Sequence, residues 1–227
     1  MENNISVMNN IAVVPMKLNN RRLPQKNTKR FTNGMPLCWY ILSTLVEIEK
    51  EGYVSDVYVY CSNPDIRNYL PEGVKYLKRS ESLDQDTTSM TEVLQAFAKD
   101  IPADVYLMTH ATAPFITKES IERGLNAVNS GDYDSSFSAK KLQDFLWKDG
   151  KPFNYLLDNI PRTQDLKPMY EETSGFYIYN SEVIRKLHRR IGNTPFIVEV
   201  GEIESTDIDE PEDFMIADAI YNHIIRR

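Results

Sequence analysis

Two clusters in this 227-residue chain have the residue types and spacing to do chemistry, and they lie near its opposite ends. Between Lys17 and Arg30, in "KLNNRRLPQKNTKR", six Lys or Arg residues occupy fourteen positions with no acid among them, although the whole chain carries a formal charge of −7. An acidic protein must reverse its local potential to hold an anionic ligand, and a cationic loop with backbone N–H groups suits a polyphosphate. The segment is not a Walker loop, since it lacks G-x-x-x-x-G-K-[ST] and contains no glycine. The second cluster is Asp207 and Asp209 in "ESTDIDEPEDF". Two apart on an extended segment, these carboxylates point the same way. Two hard oxygen ligands suit Mg²⁺, which binds through one or two carboxylates plus substrate phosphates. Each cluster alone also fits a solvated turn; together they favour metal binding beside a polyphosphate. Glu212 and Asp213 need no such role, because acids in the first turn of the next helix complement its dipole.

Such a site needs a scaffold that brings residue 17 beside residue 209. Short apolar runs alternate with helical patterns, which argues for an α/β sheet with helices on its faces. "IAVVP" (Ile11 to Pro15), "DVYVYCS", "VKYLKR", "ADVYLMTH", "YDSSFSAK", "SGFYIYN" and "TPFIVEV" read as strands, with "ADVYLMTH" mid-sheet. The helix over "PLCWYILSTLVEIEKEG" starts at Pro36, stops before Gly52 and aligns Leu37, Ile41, Leu45 and Ile48. A second follows Asp86, Thr87 and Thr88, any of which could cap it. A third is opened by Thr117, and a last one after Pro211 is expected to bury Phe214, Ala217, Ile220 and Ile224. The loop after an early strand is where ligands sit in open α/β sheets, and Arg79 leaves its strand toward the same end.

The rhythm breaks over 140–172, where "QDFLWKDGKPFNYL" reads as a hairpin with Asp149-Gly150 at the turn. An interruption that long inside one domain is functional or an interface, and its aromatics are too many for a freely solvated flap.

Composition narrows the classes. With 41% hydrophobic and 26% charged residues, the chain suits one globular domain over 1–227. No apolar run reaches the roughly 18 residues of a membrane span, and no secretory signal is apparent at the start. Cys38 and Cys61 sit in apolar stretches and are expected to be buried thiols, so a cytoplasmic location is expected. The acidic balance argues against nonspecific nucleic-acid binding.

"VVPMKLNNRRLPQKN" resembles the signature loop of the acylneuraminate cytidylyltransferase family, relatives of the CMP-Kdo synthetases. Leu23, Pro24, Lys26 and Asn27 match its Leu-Pro-x-Lys-Asn; Lys17 replaces an Arg, and Arg21-Arg22 replaces Lys-Gly. "RSESLDQDTTSMTEVL" is similar to the family's Arg-Pro-x-x-Leu-x-x-Asp-Thr, with Arg79 at its nucleotide-side arginine. "LMTHATAPF" resembles Leu-Gln-Pro-Thr-Ser-Pro-Leu, with His110 at the glutamine and Thr112 at the threonine. "NIPRTQDLKPMYEETSGFYIYN" places Arg162 and Gln164 on a Pro-Arg-x-Gln segment, and Glu172 where the family has an arginine contacting the acidic sugar. The intact Asp-Ile-Asp matches the family's metal motif.

The resemblance implies a three-layer α/β/α, Rossmann-like nucleotide-diphospho-sugar transferase fold with a mixed, mostly parallel sheet. It implies Mg²⁺-dependent, in-line CMP transfer from CTP to an acceptor oxygen of a sialic-acid-like nonulosonic acid or related acceptor, releasing pyrophosphate, in CMP-sugar biosynthesis for surface polysaccharide. The hairpin corresponds to a dimerisation arm, hence a homodimer. Lys17, Arg21 and Lys26 are expected to steady phosphates; Lys17, Asn27, Arg79 and Thr112 to hold the nucleotide; His110, Arg162, Gln164 and Glu172 to face the acceptor; Asp207 and Asp209 to hold the metal. An unpaired Glu172 would repel an acidic sugar and so predicts an amino-bearing or cationic acceptor, or a smaller hydroxyl or phosphonate compound. The rival readings are a metal-dependent glycosyltransferase of related fold and a non-catalytic nucleotide-binding homologue.

Overall fold

The computed structural model describes residues 8–20 and 22–226. Arg21, named above for the phosphates, lies outside the described residues. The main sheet is built from β1 (Asn10–Met16), β2 (Asp56–Cys61), β3 (Lys75–Lys78), β4 (Val105–Thr109), β5 (Ser135–Leu142), β8 (Met169–Asn180) and β9 (Pro195–Val200). Their order is β3-β2-β1-β4-β8-β5-β9, which puts β4 at the centre. All neighbours are parallel except β8, which runs antiparallel to both β4 and β5. Every residue of β1 is buried, as helices on both faces require, and its near-continuous apolar sequence follows from that burial.

Helix α1 (Leu37–Lys50) and α3 (Lys118–Asn129) cover one face; α2 (Met90–Asp100) and α4 (Ser181–Lys186) cover the other. Leu37, Ile41, Leu45 and Ile48 are fully buried on α1, each contributing about 1.5–3 kcal/mol of burial. Cys38 and Cys61 are buried free thiols, with burial pushing Cys38 up to about 12. Among the described residues no helix is long and apolar enough to cross a membrane.

A third, smaller core decides where the site forms. Leu23 and Phe31 from the basic loop, Phe115 from the turn after β4, and Ile208, Phe214 and Ala217 from the C-terminal segment pack on Leu37 and Tyr40. Ile208 is fully buried there. Burying the middle residue of Asp-Ile-Asp turns both aspartates to the other side of the segment from Ile208, by the alternation of an extended chain.

Two helix details differ from expectation. The N-cap of α2 is Ser89, not Asp86, Thr87 or Thr88: its hydroxyl accepts from the Glu92 N–H while Glu92 reaches back to the Ser89 N–H at 2.7 Å. That reciprocal capping box satisfies two orphan donors, which a lone cap cannot. The last helix, α5 (Pro211–Ile220), buries Phe214 and Ala217 and half-buries Ile220, but Ile224 is 53% exposed. The chain widens into a π-helical turn over Tyr221–Ile225, and the extra residue per turn rotates Ile224 off the apolar stripe.

The excursion leaves as an extension of the sheet. β5 and β8 remain paired as far as Leu142 and Met169, and the hairpin of β6 (Trp147–Lys148) and β7 (Lys151–Pro152) hangs beyond them. Asp149 and Gly150 take φ of 52° and 74°, the two left-handed positions of a type I′ turn.

Candidate active site

The chain runs from β1 outward to β3, then returns to β4 on the other side of β1. This reversal creates a crevice at the carboxyl ends of the strands. The basic loop leaves β1 there, Arg79 follows β3, and the His110 turn follows β4.

Pro24 and Gln25 turn the loop, Gln25 at φ 56°, into a 3₁₀ turn over Lys26–Thr28 that drives Lys26 inward. Its Nζ donates to the Ile208 carbonyl at 2.7 Å and to Asp209 Oδ1 at 2.9 Å. Arg22 reaches the same Asp209 oxygen at 2.8 Å and Glu210 at 3.6 Å. The two sequence clusters therefore meet. Burial pushes the Asp209 carboxyl up, but Lys26 and then Arg22 outweigh that and hold it below the usual carboxylate range. The Asp209 and Glu210 N–H groups both donate to Asp213, which fixes the segment against α5. Thr112 contributes its carbonyl, which accepts from the Ile208 N–H at 2.9 Å.

Asp207 Oδ1 is buried and has no hydrogen-bond partner among the described residues. An orphaned anionic oxygen beside a second carboxylate fits a hard divalent cation. No third His, Cys, Asp or Glu joins them into a metal-holding group among the described residues.

The other expected residues divide. Lys17 pairs with Asp86 at 3.3 Å at the crevice mouth. Asn27 is buried, and its Nδ2 donates to the Lys17 carbonyl at 3.0 Å, so it shapes the loop. Arg79 is 4% exposed and pairs with Asp84, which also accepts from Ser62; its Nε is buried without a partner. A cleft of about 810 Å³, bordered by Asn19, Gln25, Ser62, Lys78 and Asp84, opens beside it. A second, of about 420 Å³, is lined by Lys17, Arg22, Lys26 and Asp86. Lys29 and Arg30 are more than solvated: Lys29 Nζ sits 4.7 Å over Phe214 and Arg30 Cζ 5.9 Å over Tyr69, anchoring the loop through cation–π contacts.

On the acceptor side, His110 is pushed down to about 4, first by burial and then by the charge of Arg190, against the opposing pull of Asp207. It is a neutral imidazole at physiological pH. Arg162 and Gln164 are not brought to this crevice. Arg162 spends two N–H groups on Asp165 within the exposed arm, and the Gln164 carbonyl accepts from Gln143. Glu172 is not the unpaired carboxylate that predicted a cationic acceptor. It accepts from the Tyr177 hydroxyl and pairs with Arg190 at 3.3 Å, so its charge is already answered. Sequence reasoning missed Arg190, Arg22 as an Asp209 partner, and Asp84.

A crevice at the switch point of a Rossmann-like sheet, lined by paired cations and closed by two aspartates, defines a nucleotide-handling site. The chain belongs to the Cytidylyltransferase family, whose pattern it matches over residues 11–214. It is 25% identical to N-acylneuraminate cytidylyltransferase A of Danio rerio, covering 91% of this chain and 49% of that protein. It is 22% identical to N-acylneuraminate cytidylyltransferase of Streptococcus agalactiae, covering 96% and 55%. The chain thus spans about half the length of these relatives. The fold is that of CMP:2-keto-3-deoxy-manno-octonic acid synthetase, solved in complex with CTP, at a TM-score of 0.70 and 16% identity over 94% of this chain and 98% of that one.

Proposed function

We propose that this protein transfers CMP from CTP to a hydroxyl oxygen of an acidic, sialic-acid-like nonulosonic sugar and releases pyrophosphate. The observation that carries the reading is the junction of Lys26 with Asp209, which supports taking the loop cations as phosphate-binding groups facing the carboxylate pair. The acceptor oxygen bonds to the α-phosphorus as the bridge to the β-phosphate breaks, and pyrophosphate leaves with the electron pair. Lys17, Arg22 and Lys26 exchange their carboxylate partners for phosphate oxygens and neutralise the leaving group. Arg79, held by Asp84, backs the wall of the nucleoside cleft, which Asp84 itself lines. Neutral His110 presents a ring nitrogen to the acceptor hydroxyl. Asp207 and Asp209 would hold Mg²⁺, which supplies charge neutralisation at the triphosphate and acidifies the attacking hydroxyl.

The arm completes the reading. Trp147, Phe153 and Leu156 are exposed on it, and covering them with a second copy makes a homodimer whose arms carry Arg162 and Gln164 toward the partner's crevice. The relatives' acceptors are acids by name, which supports an acidic sugar here. The test is pyrophosphate release from CTP and Mg²⁺ with a panel of sialic, legionaminic and pseudaminic acids plus neutral hydroxyl and phosphonate compounds. Turnover is expected with an acidic nonulosonic sugar and a loss of at least about 10³-fold in Asp209→Ala. Turnover only with a neutral or phosphonate acceptor overturns the acceptor class, and no pyrophosphate from any of them overturns the activity.

A further inference from the structure

The loop between α4 and β9 brings Arg190 over β8. Arg190 sits over Tyr177, its Cζ 3.8 Å from the ring centroid, and its Nη2 donates to the Tyr177 hydroxyl at 3.0 Å and to Glu172 at 3.3 Å. The ring contact and the tyrosine bond hold the guanidinium from one side. Nη1 has no partner among the described residues. The side chain is 30% exposed and that of Glu172 is 45% exposed, so the pair opens to solvent and Glu172 can be rehydrated when released. Tyr177 pairs with Met108 of β4, two residues before His110, so the arginine on its ring stands near the turn that follows β4.

We propose that Arg190 binds the carboxylate of the acceptor, taking it in place of Glu172. The inference rests on the acidic-sugar reading above. Letting go of Glu172 opens the Nη1–Nη2 edge, and two parallel N–H donors match a carboxylate in a way a point charge cannot. Glu172 then acts as an internal competitor: it keeps the guanidinium in place and charge-balanced and sets a threshold that only another anion passes. Neutral acceptors leave the pair closed, so the exchange selects for acids.

Steady-state pyrophosphate release with the best acidic acceptor, and with its methyl ester, tests the assignment. Arg190→Ala is expected to raise the acceptor KM by about 10- to 100-fold while the CTP KM stays within about twofold. Arg190→Lys should recover only part of that, because the ammonium lacks the fork. Glu172→Gln should lower the acceptor KM several-fold by removing the competitor. Wild type should favour acid over ester, and Arg190→Ala should abolish the preference. A structural role predicts the opposite: both KM values rise together in Arg190→Ala, or Glu172→Gln weakens acceptor use, and either result overturns the proposal. Should Arg190→Ala not fold, Arg190→Lys and Glu172→Gln decide by the same readings. A wild type that turns over only neutral acceptors removes the functional reading and this proposal together. A wild type that turns over acids while Arg190→Ala does too, unchanged, removes this proposal alone.

Discussion

His110 shows how the crevice treats charge at the scale of one residue. Burial first, and the charge of Arg190 second, lower its pKa to about 4, against an unperturbed value near 6.5. The folded state therefore binds fewer protons than the unfolded chain between those values, and stability must fall as pH drops through that window. The loss is about 1.4 kcal/mol per pH unit and about 3 kcal/mol over the whole window. Urea unfolding at pH 7, 6 and 5 in the presence of a chelator should show this slope, and His110→Gln should flatten it; an equal slope in both proteins contradicts the assignment. Asp209 works in the same direction at lower pH, since its depressed pKa also gives stability that is lost as pH falls, here below the ordinary carboxylate range. Residues of this kind were legible unequally. Lys26 and Asp209 stood out because each sits in a cluster of its own charge or chemistry. Arg190 did not, because its partners Glu172 and Tyr177 lie 18 and 13 residues away and "HRRIGN" reads locally as a solvated basic turn.

At the scale of elements, the strand runs and the face of α1 could be read directly, because continuous burial and the helical period both leave apolar signatures. Irregularities could not, since they depend on contacts across the sheet. The register of β5 against β8 slips between Phe137 and Ala139, where Tyr177 and Glu172 are the respective partners. Thr173 and the Phe176 N–H close this bulge onto Ser138, and the bend carries Glu172 and Tyr177 to Arg190. Gly175 makes it possible: a Cβ there would lie 2.4 Å from Ile116 Cδ1 and 2.6 Å from Ser138 Oγ. Gly175→Ala is expected to cost about 1–3 kcal/mol by overpacking and to raise the acceptor KM. A lower urea midpoint at unchanged slope checks the first; an unaltered midpoint would show that Ile116 and Ser138 yield easily.

For the whole molecule, the arm is the feature that one chain leaves unfinished. Trp147 is 58% exposed, Phe153 53% and Leu156 72%, and their rings and branches gain little from water. A dimer at micromolar concentration in sedimentation is expected, with Trp147→Ser combined with Phe153→Ser shifting it to monomer while CTP binding persists. A wild-type monomer at that concentration would leave the arm without its assigned partner. The break in rhythm at 140–172 gave away this excursion; the stretch of β5–β8 ladder that launches it did not. One further consequence follows from Lys26, whose partners Ile208 and Asp209 lie 182 and 183 residues further along the chain. During synthesis the strands β1 to β4 can assemble on the ribosome while this lysine still lacks its counter-charge, whereas β5 must wait for β8 and β9, so the crevice is finished late in translation.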